Sequence, residues 1–385
     1  MRAFSAPLHR ISVIVLLITF SVFYLGCDSG GGINPNPPGA SRTYGPPLYA
    51  ISFVDAGGYL GTASPTPSTT PYYVKNIGTG TALLDPGYCA LWSPSSSISG
   101  DITTAHFLTS DVSSGGLVVL DEQGVHDETI SDGIPDFFTI SFGGTYVAYV
   151  KESGNLQQFI VEGIGTNDTY VELSNLSSPK HFGSKPSFSF DVTKALISEF
   201  DDNTPSNSRT IIYNSSGAES YVLAGRVYGA QFDRNGTKVA YIDGANGAQA
   251  ATRLVVTTSQ LIESDSYDFS SYGTGACALG WSPNANMIAL YAGVFSDEPR
   301  LIVYNLFSMN ILDLTPSEGT IAVEPNDHPN WCYPAWSPSS DALAFMIKVG
   351  EDDYQVVSVD LDGNVDVLVD GLNGISRPDW LDNTN

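Results

Sequence analysis

The residues able to do chemistry fall into two groups. Eight carboxylates stand in irregular polar stretches: Asp201 and Asp202 in "DDNTPSNS", Asp243 in "DGANGAQAAT", Asp297 and Glu298 in "GVFSDEP", and Glu351, Asp352 and Asp353 in "VGEDD". Brought together, they would hold a cation or a basic partner; as a pair flanking a pocket they would do acid/base work on a glycosidic bond. They serve equally as a solvated acidic rim that keeps the protein soluble. The second group is His328 and Trp331 in "NDHPNWC". An indole beside an imidazole stacks on a sugar or a partner's side chain, or packs beneath a loop.

Beyond these, the usual constellations are missing. The sequence has no G-x-S-x-G, no H-E-x-x-H, no P-loop and no EF-hand loop. His106, His126, His181 and His328 share no spacing, so general bases are few. No catalytic residue, metal site or cofactor is expected. The chain carries 16 Lys+Arg against 41 Asp+Glu, a formal net charge of −25. That charge repels nucleic acid, whose binding needs basic patches.

Elements must position these groups, and their pattern is a repeat. "PAWSPSSDALAF", "LGWSPNANMIAL", "AQFDRNGTKVAY" and "FTISFGGTYVAY" each place an anchor before a short polar turn, then an aliphatic residue and Ala seven and eight positions on. The anchors are Trp92, Ile140, Phe190, Phe232, Trp281, Trp336 and Trp380, spaced by 42 to 55 residues. A period in the forties with alternating strands such as "YQVVSVDL" fits one four-stranded propeller blade per repeat. Strand content before Trp92 lacks a first strand, and "GISRPDWL" supplies one without its followers. Pairing the two ends would close the ring and remove an exposed sheet edge. The expected fold is therefore all-β, a seven-bladed propeller over residues 47–385, with six blades as the alternative.

In such blades the turns between first and second strands share one side with the third-to-fourth turns. The second-to-third loops lie on the opposite side, and all eight carboxylates fall in them. They, with His328 and Trp331, are expected on one binding side around the channel mouth. Cys277 and Cys332 each stand four residues before an anchor, and Cys89 three before another. An exported compartment would permit a Cys277–Cys332 disulfide; buried thiols are the plainer expectation.

The N-terminus reads differently. "MRAFSAPLHR" is basic, "ISVIVLLITFSVFY" is apolar but short for a membrane span, and "LGC" ends at Cys27. This resembles a bacterial lipoprotein signal, which implies that residues 1–26 are removed and Cys27 is lipidated. Residues 27–46, rich in Gly, Pro and Ser, read as a flexible tether.

The anchor motif, above all "PAWSPSSDALAF", resembles the WD40-like repeats of TolB-type propellers. Here Ser-Ser, Asn-Ala and Ser-Ser follow Pro94, Pro283 and Pro338, where the family has Asp-Gly. The resemblance implies a protein that binds other proteins or ligands, without a Tol-system role; with the lipoprotein-like signal, the expectation is a cell-envelope, periplasmic-side or surface module that binds a protein, peptide or glycan and meets the membrane only through its lipid. The alternative is a carbohydrate-active hydrolase or lyase with its site at the channel mouth.

Overall fold

The computed structural model describes residues 51–54, 59–63, 72–76, 90–94, 105–111, 115–121, 126–133, 135, 137–141, 144–166, 169–244, 247, 251–323, 334–372 and 378–380. All lie within one compact unit, Asn36–Asn385. The described strands pair antiparallel in a propeller arrangement. Six sheets are continuous in sequence: sheet one over 90–131, two over 137–177, three over 180–224, four over 227–268, five over 276–313 and six over 320–372. A composite sheet joins Ile51–Val54, Tyr59–Ala63 and Tyr72–Asn76 to the last strand, Asp379–Trp380.

The repeat is legible in the pairing register. Trp336 lies opposite Leu343, Trp281 opposite Ile288, Phe232 opposite Val239 and Ile140 opposite Val147. Trp380 lies opposite Ile51 across the composite sheet, and Trp92 opposite Phe107 in sheet one. The alanines that follow, Ala148, Ala240, Ala289 and Ala344, are all fully buried.

One expectation needs correction. Phe190 is 52% exposed and lies under the Arg234 guanidinium, 5.8 Å from its ring centre. The anchor of sheet three is Phe188, 3% exposed and opposite Ala195. "SFSFD" holds two overlapping copies of an aromatic followed by a capping residue, so spacing alone does not separate them. The turn separates them: Ser189 receives the Lys194 N–H on its Oγ and donates its own N–H to the Lys194 carbonyl.

That turn recurs wherever it is described. The residue after the anchor (Ser141, Ser189, Asp233, Ser282, Ser337) accepts with its side chain the N–H five positions on. Its carbonyl accepts the N–H three positions on, from Gly144, Val192, Gly236, Ala285 and Ser340. Each of these has positive φ, between 55° and 65°. This left-handed position explains the Gly of the resembled motif. Val192, Ala285 and Ser340 hold it at a cost of about 1–2 kcal/mol each.

Core clusters fill the seams between sheets, and the anchors cross them. Trp336 shares a cluster with Ala289 of sheet five and Leu343 of its own sheet. Its Nε1 donates to the Gly280 carbonyl at 2.9 Å, and Trp281 Nε1 donates to the Gln231 carbonyl at 3.2 Å. The Phe232 amide donates to Ser187 Oγ at 3.0 Å. Gly280, Gln231 and Ser187 each immediately precede the anchor of the previous sheet. A side chain at Gly280 would put its Cβ 3.0 Å from the Pro334 carbonyl oxygen, which explains glycine there.

Phe188→Ala should therefore cost about 3–5 kcal/mol in urea denaturation, as loss of a buried aromatic does, whereas Phe190→Ala should cost less than about 1 kcal/mol. Equal losses would restore Phe190 as the anchor.

Candidate functional site

Hydrogen bonds sort the connections onto two sides. On one, third-to-fourth connections donate to first-to-second turns: Ile164 to Thr145, Ser259 to Thr237, Leu306 to Asn286 and Leu361 to Asp341. This is the turn side. On the other, second-to-third loops bond to the connections between sheets, as in Gly225 to Ser208, Gly244 to Arg226 and Gly293 to Gly275. This is the loop side, and Asp201, Asp202, Asp243, Asp297, Glu298, Glu351, Asp352 and Asp353 all belong to it. His328, Trp331, Cys27, Cys89 and Cys332 lie outside the described residues. Cys277 is buried.

The eight carboxylates do not form one group. Asp201 is only 5% exposed, and its Oδ1 accepts the N–H groups of Asn203 and Thr204. It is a cap that opens the loop, so its place on a binding surface is corrected. Asp202 is paired with Arg226 at 2.8 Å and lies 3.4 Å from His181. Asp243 lies 3.6 Å from Arg253, and Glu298 lies 2.8 Å from Arg300. Asp297, Glu351, Asp352 and Asp353 are exposed on the loops of sheets five and six.

The pairing has a repeated source that sequence reading passed over. The third strand of sheets three, four and five begins with arginine: Arg209, Arg253 and Arg300. Each reaches at least two carboxylates. Arg209 makes a bidentate pair with the buried Glu199 at 2.6 and 3.0 Å and touches Glu219 at 3.3 Å. Arg253 contacts Glu263 as well as Asp243, and Arg300 lies 4.0 Å from Asp313 as well as near Glu298. The exposed pairs among them, those of Arg253 and Arg300, are worth about 0–1 kcal/mol each. Their larger effect is on the field, because paired carboxylates attract a partner less. The signal was the recurring "RTIIYN", "RLVVTT" and "RLIVYN".

A half-open depression of about 260 Å³ lies on the turn side, lined among others by Ser337, Ser339, Asp341, Asp360, Asp366 and Trp380. Two of its carboxylates, Asp341 and Asp360, are committed to turns. Asp341 Oδ1 accepts Ser337 Oγ at 2.7 Å and Ser339 Oγ at 2.6 Å; Asp360 accepts the Asn364 amide and side chain at 2.8 and 2.7 Å. Hydrogen bonds from Ser339 and Ser337 hold the Asp341 pKa below its ordinary value, and those from Asn364 do the same for Asp360. A general acid at neutral pH needs the opposite shift. These two groups are built to stay ionised. Among the described residues, no group of three or more His, Cys, Asp or Glu is arranged to hold a metal.

No protein-family model matches the sequence, and no curated protein does. Solved structures do match in fold. A functionally unknown protein from Desulfotomaculum acetoxidans DSM 771 superimposes with TM-score 0.58 at 9% identity, over 86% of this chain and 98% of that one. The periplasmic gluconolactonase PpgL of Pseudomonas aeruginosa gives 0.54 at 11% identity, over 86% and 99%. TolB from Acinetobacter baumannii gives 0.49 at 13% identity, over 72% of this chain and 66% of that one. TolB-type propellers are thus among the structural neighbours, and the likeness is one of fold.

The depressed Asp341 pKa carries a pH signature. A carboxylate with a lowered folded-state pKa stabilises above its unfolded value near 3.9 and loses that contribution as pH falls through the folded value. Asp341→Asn should lower the melting temperature at neutral pH, and the gap from wild type should shrink below about pH 4. A gap independent of pH would assign Asp341 a packing role alone.

Proposed function

We propose that this chain is an exported, lipid-anchored seven-bladed propeller that binds a basic protein or peptide segment through its loop side. The observation that carries the binding reading is the exposed acid set Asp297, Glu351, Asp352 and Asp353 on adjacent sheets, standing outside the arginine pairs that occupy Asp202, Asp243 and Glu298. Such a set steers a cationic partner in a salt-dependent way. A neutral glycan fits an acid set of this kind less well, having no charge to meet it.

The blade count rests on treating the composite sheet as a seventh blade beside the six continuous ones. The pairing of Ile51 with Trp380 supports it, and so do contacts of the last strand with the inner strands of sheets six and one. Export and anchoring rest on the lipoprotein-like signal ending at Cys27. Residues 1–26 would be removed, and 27–46 would link the lipid to the propeller. The periplasmic location of the gluconolactonase neighbour agrees with an envelope protein.

Two experiments test the parts separately. The wild type should retain, from envelope extract, a partner released by salt, and the variant Asp297→Asn, Glu351→Gln, Asp352→Asn, Asp353→Asn should lose it. Identical profiles would remove the acidic loop side as the binding surface. Cys27→Ala should move the protein from the membrane fraction to the soluble one; unchanged membrane association would refute the lipid anchor.

A further inference from the structure

The turn side carries an apolar tip that the binding reading does not use. Phe307 is 92% exposed, Met309 69% and Ile262 61%. All three sit in third-to-fourth turns, Ile262 in sheet four and the other two in sheet five. Those sheets touch along their outer strands, where Tyr267 stacks on Tyr304 at 5.4 Å. The turns that bear these side chains, 259–262 and 306–309, contain no charged residue in a chain of net charge −25, although the neighbouring 233–237 turn carries Asp233 and Arg234. Large apolar side chains held out on uncharged turns mark a surface that something apolar covers.

The chain's own course says what covers it. Ile51 pairs with Trp380 as the other second strands pair with their anchors, so the polypeptide joins its first described strand at the turn side. The 23 residues between Cys27 and Ile51 span about 80 Å when extended. That reach exceeds the propeller's own radius of gyration, about 20 Å for a domain of this length. A lipid on Cys27 therefore holds the turn side within reach of the bilayer at high effective concentration, where a weak apolar contact suffices as the second of two membrane signals.

We infer that the turn side of the propeller rests on the lipid surface, with Phe307, Met309 and Ile262 entering the interface. This rests on the lipid-anchor reading. The lipidated full-length protein, with Met309→Cys or Asp352→Cys carrying an environment-sensitive dye, is reconstituted into phosphatidylcholine vesicles with or without acyl-chain-brominated phosphatidylcholine. Wild type treated alike gives the background. The dye at position 309 should shift to the blue and lose about half its emission to the brominated lipid, as expected for insertion of about 5–10 Å, while the dye at 352 should do neither. Phe307→Ser in the Met309→Cys protein should weaken the quenching without changing the melting temperature.

Protein that stays on washed vesicles with both dyes unquenched overturns the inference and leaves the anchor standing. A blue shift at 309 without quenching puts a second copy of the chain on this surface and also overturns it. Protein that washes off and carries no lipid mass on its N-terminal peptide overturns the anchor reading, and the inference with it.

Discussion

Sheets four, five and six are each fastened to the preceding sheet at one repeated place. The anchor of the later sheet meets the residue just before the anchor of the earlier one, through Trp336 to Gly280, Trp281 to Gln231 and Phe232 to Ser187. Each is a directional hydrogen bond set in an apolar seam, where an unpaired partner would be costly. The other invariants of the repeat follow from it. In two of the three a buried alanine lies opposite the accepting residue (Ala289 faces Gly280 and Ala240 faces Gln231), so the partner sheet can approach; in the third, Ser187 faces Leu196. The polar turn after the anchor ends the strand at a fixed point, which keeps the anchor at the seam.

With the turns committed to this framework, variation is left to the opposite ends of the strands. There the chain places most of its irregular sequence and many of its carboxylates. Arginines divide those carboxylates into a paired group along sheets three to five (Asp202, Asp243 and Glu298, with Glu199 beside them) and an exposed remainder on sheets five and six. The number of carboxylates alone overstates the field that a partner would meet. What matters is where an acid lacks a neighbouring arginine, and sheet six opens its third strand with Tyr354 instead.

The architecture was legible in the sequence because the seam needs a large residue at a fixed distance from a small one, and that distance survives in the text of each repeat. The choice between Phe188 and Phe190 was not legible, since both satisfy the spacing and only the hydrogen bonding of Ser189 selects one. The side on which the carboxylates stand followed from strand order. Their division did not, because Asp202 meets Arg226 from 24 residues away and Asp201 turns inward to cap its own loop. Those are properties of rotamers and neighbouring strands, which periodicity does not encode. The depression at Asp341 was hidden for another reason: its residues are the turn motif itself, which reads as scaffold.

The pairing of Ile51 and Ser52 with Trp380 and Asp379 has a mechanical meaning. A load on the N-terminal segment enters the fold at Ile51, in a strand flanked on both sides by antiparallel neighbours. Tension along that strand shears its hydrogen bonds together instead of peeling them one at a time. The same four residues that join the first and last described strands therefore also resist such a load.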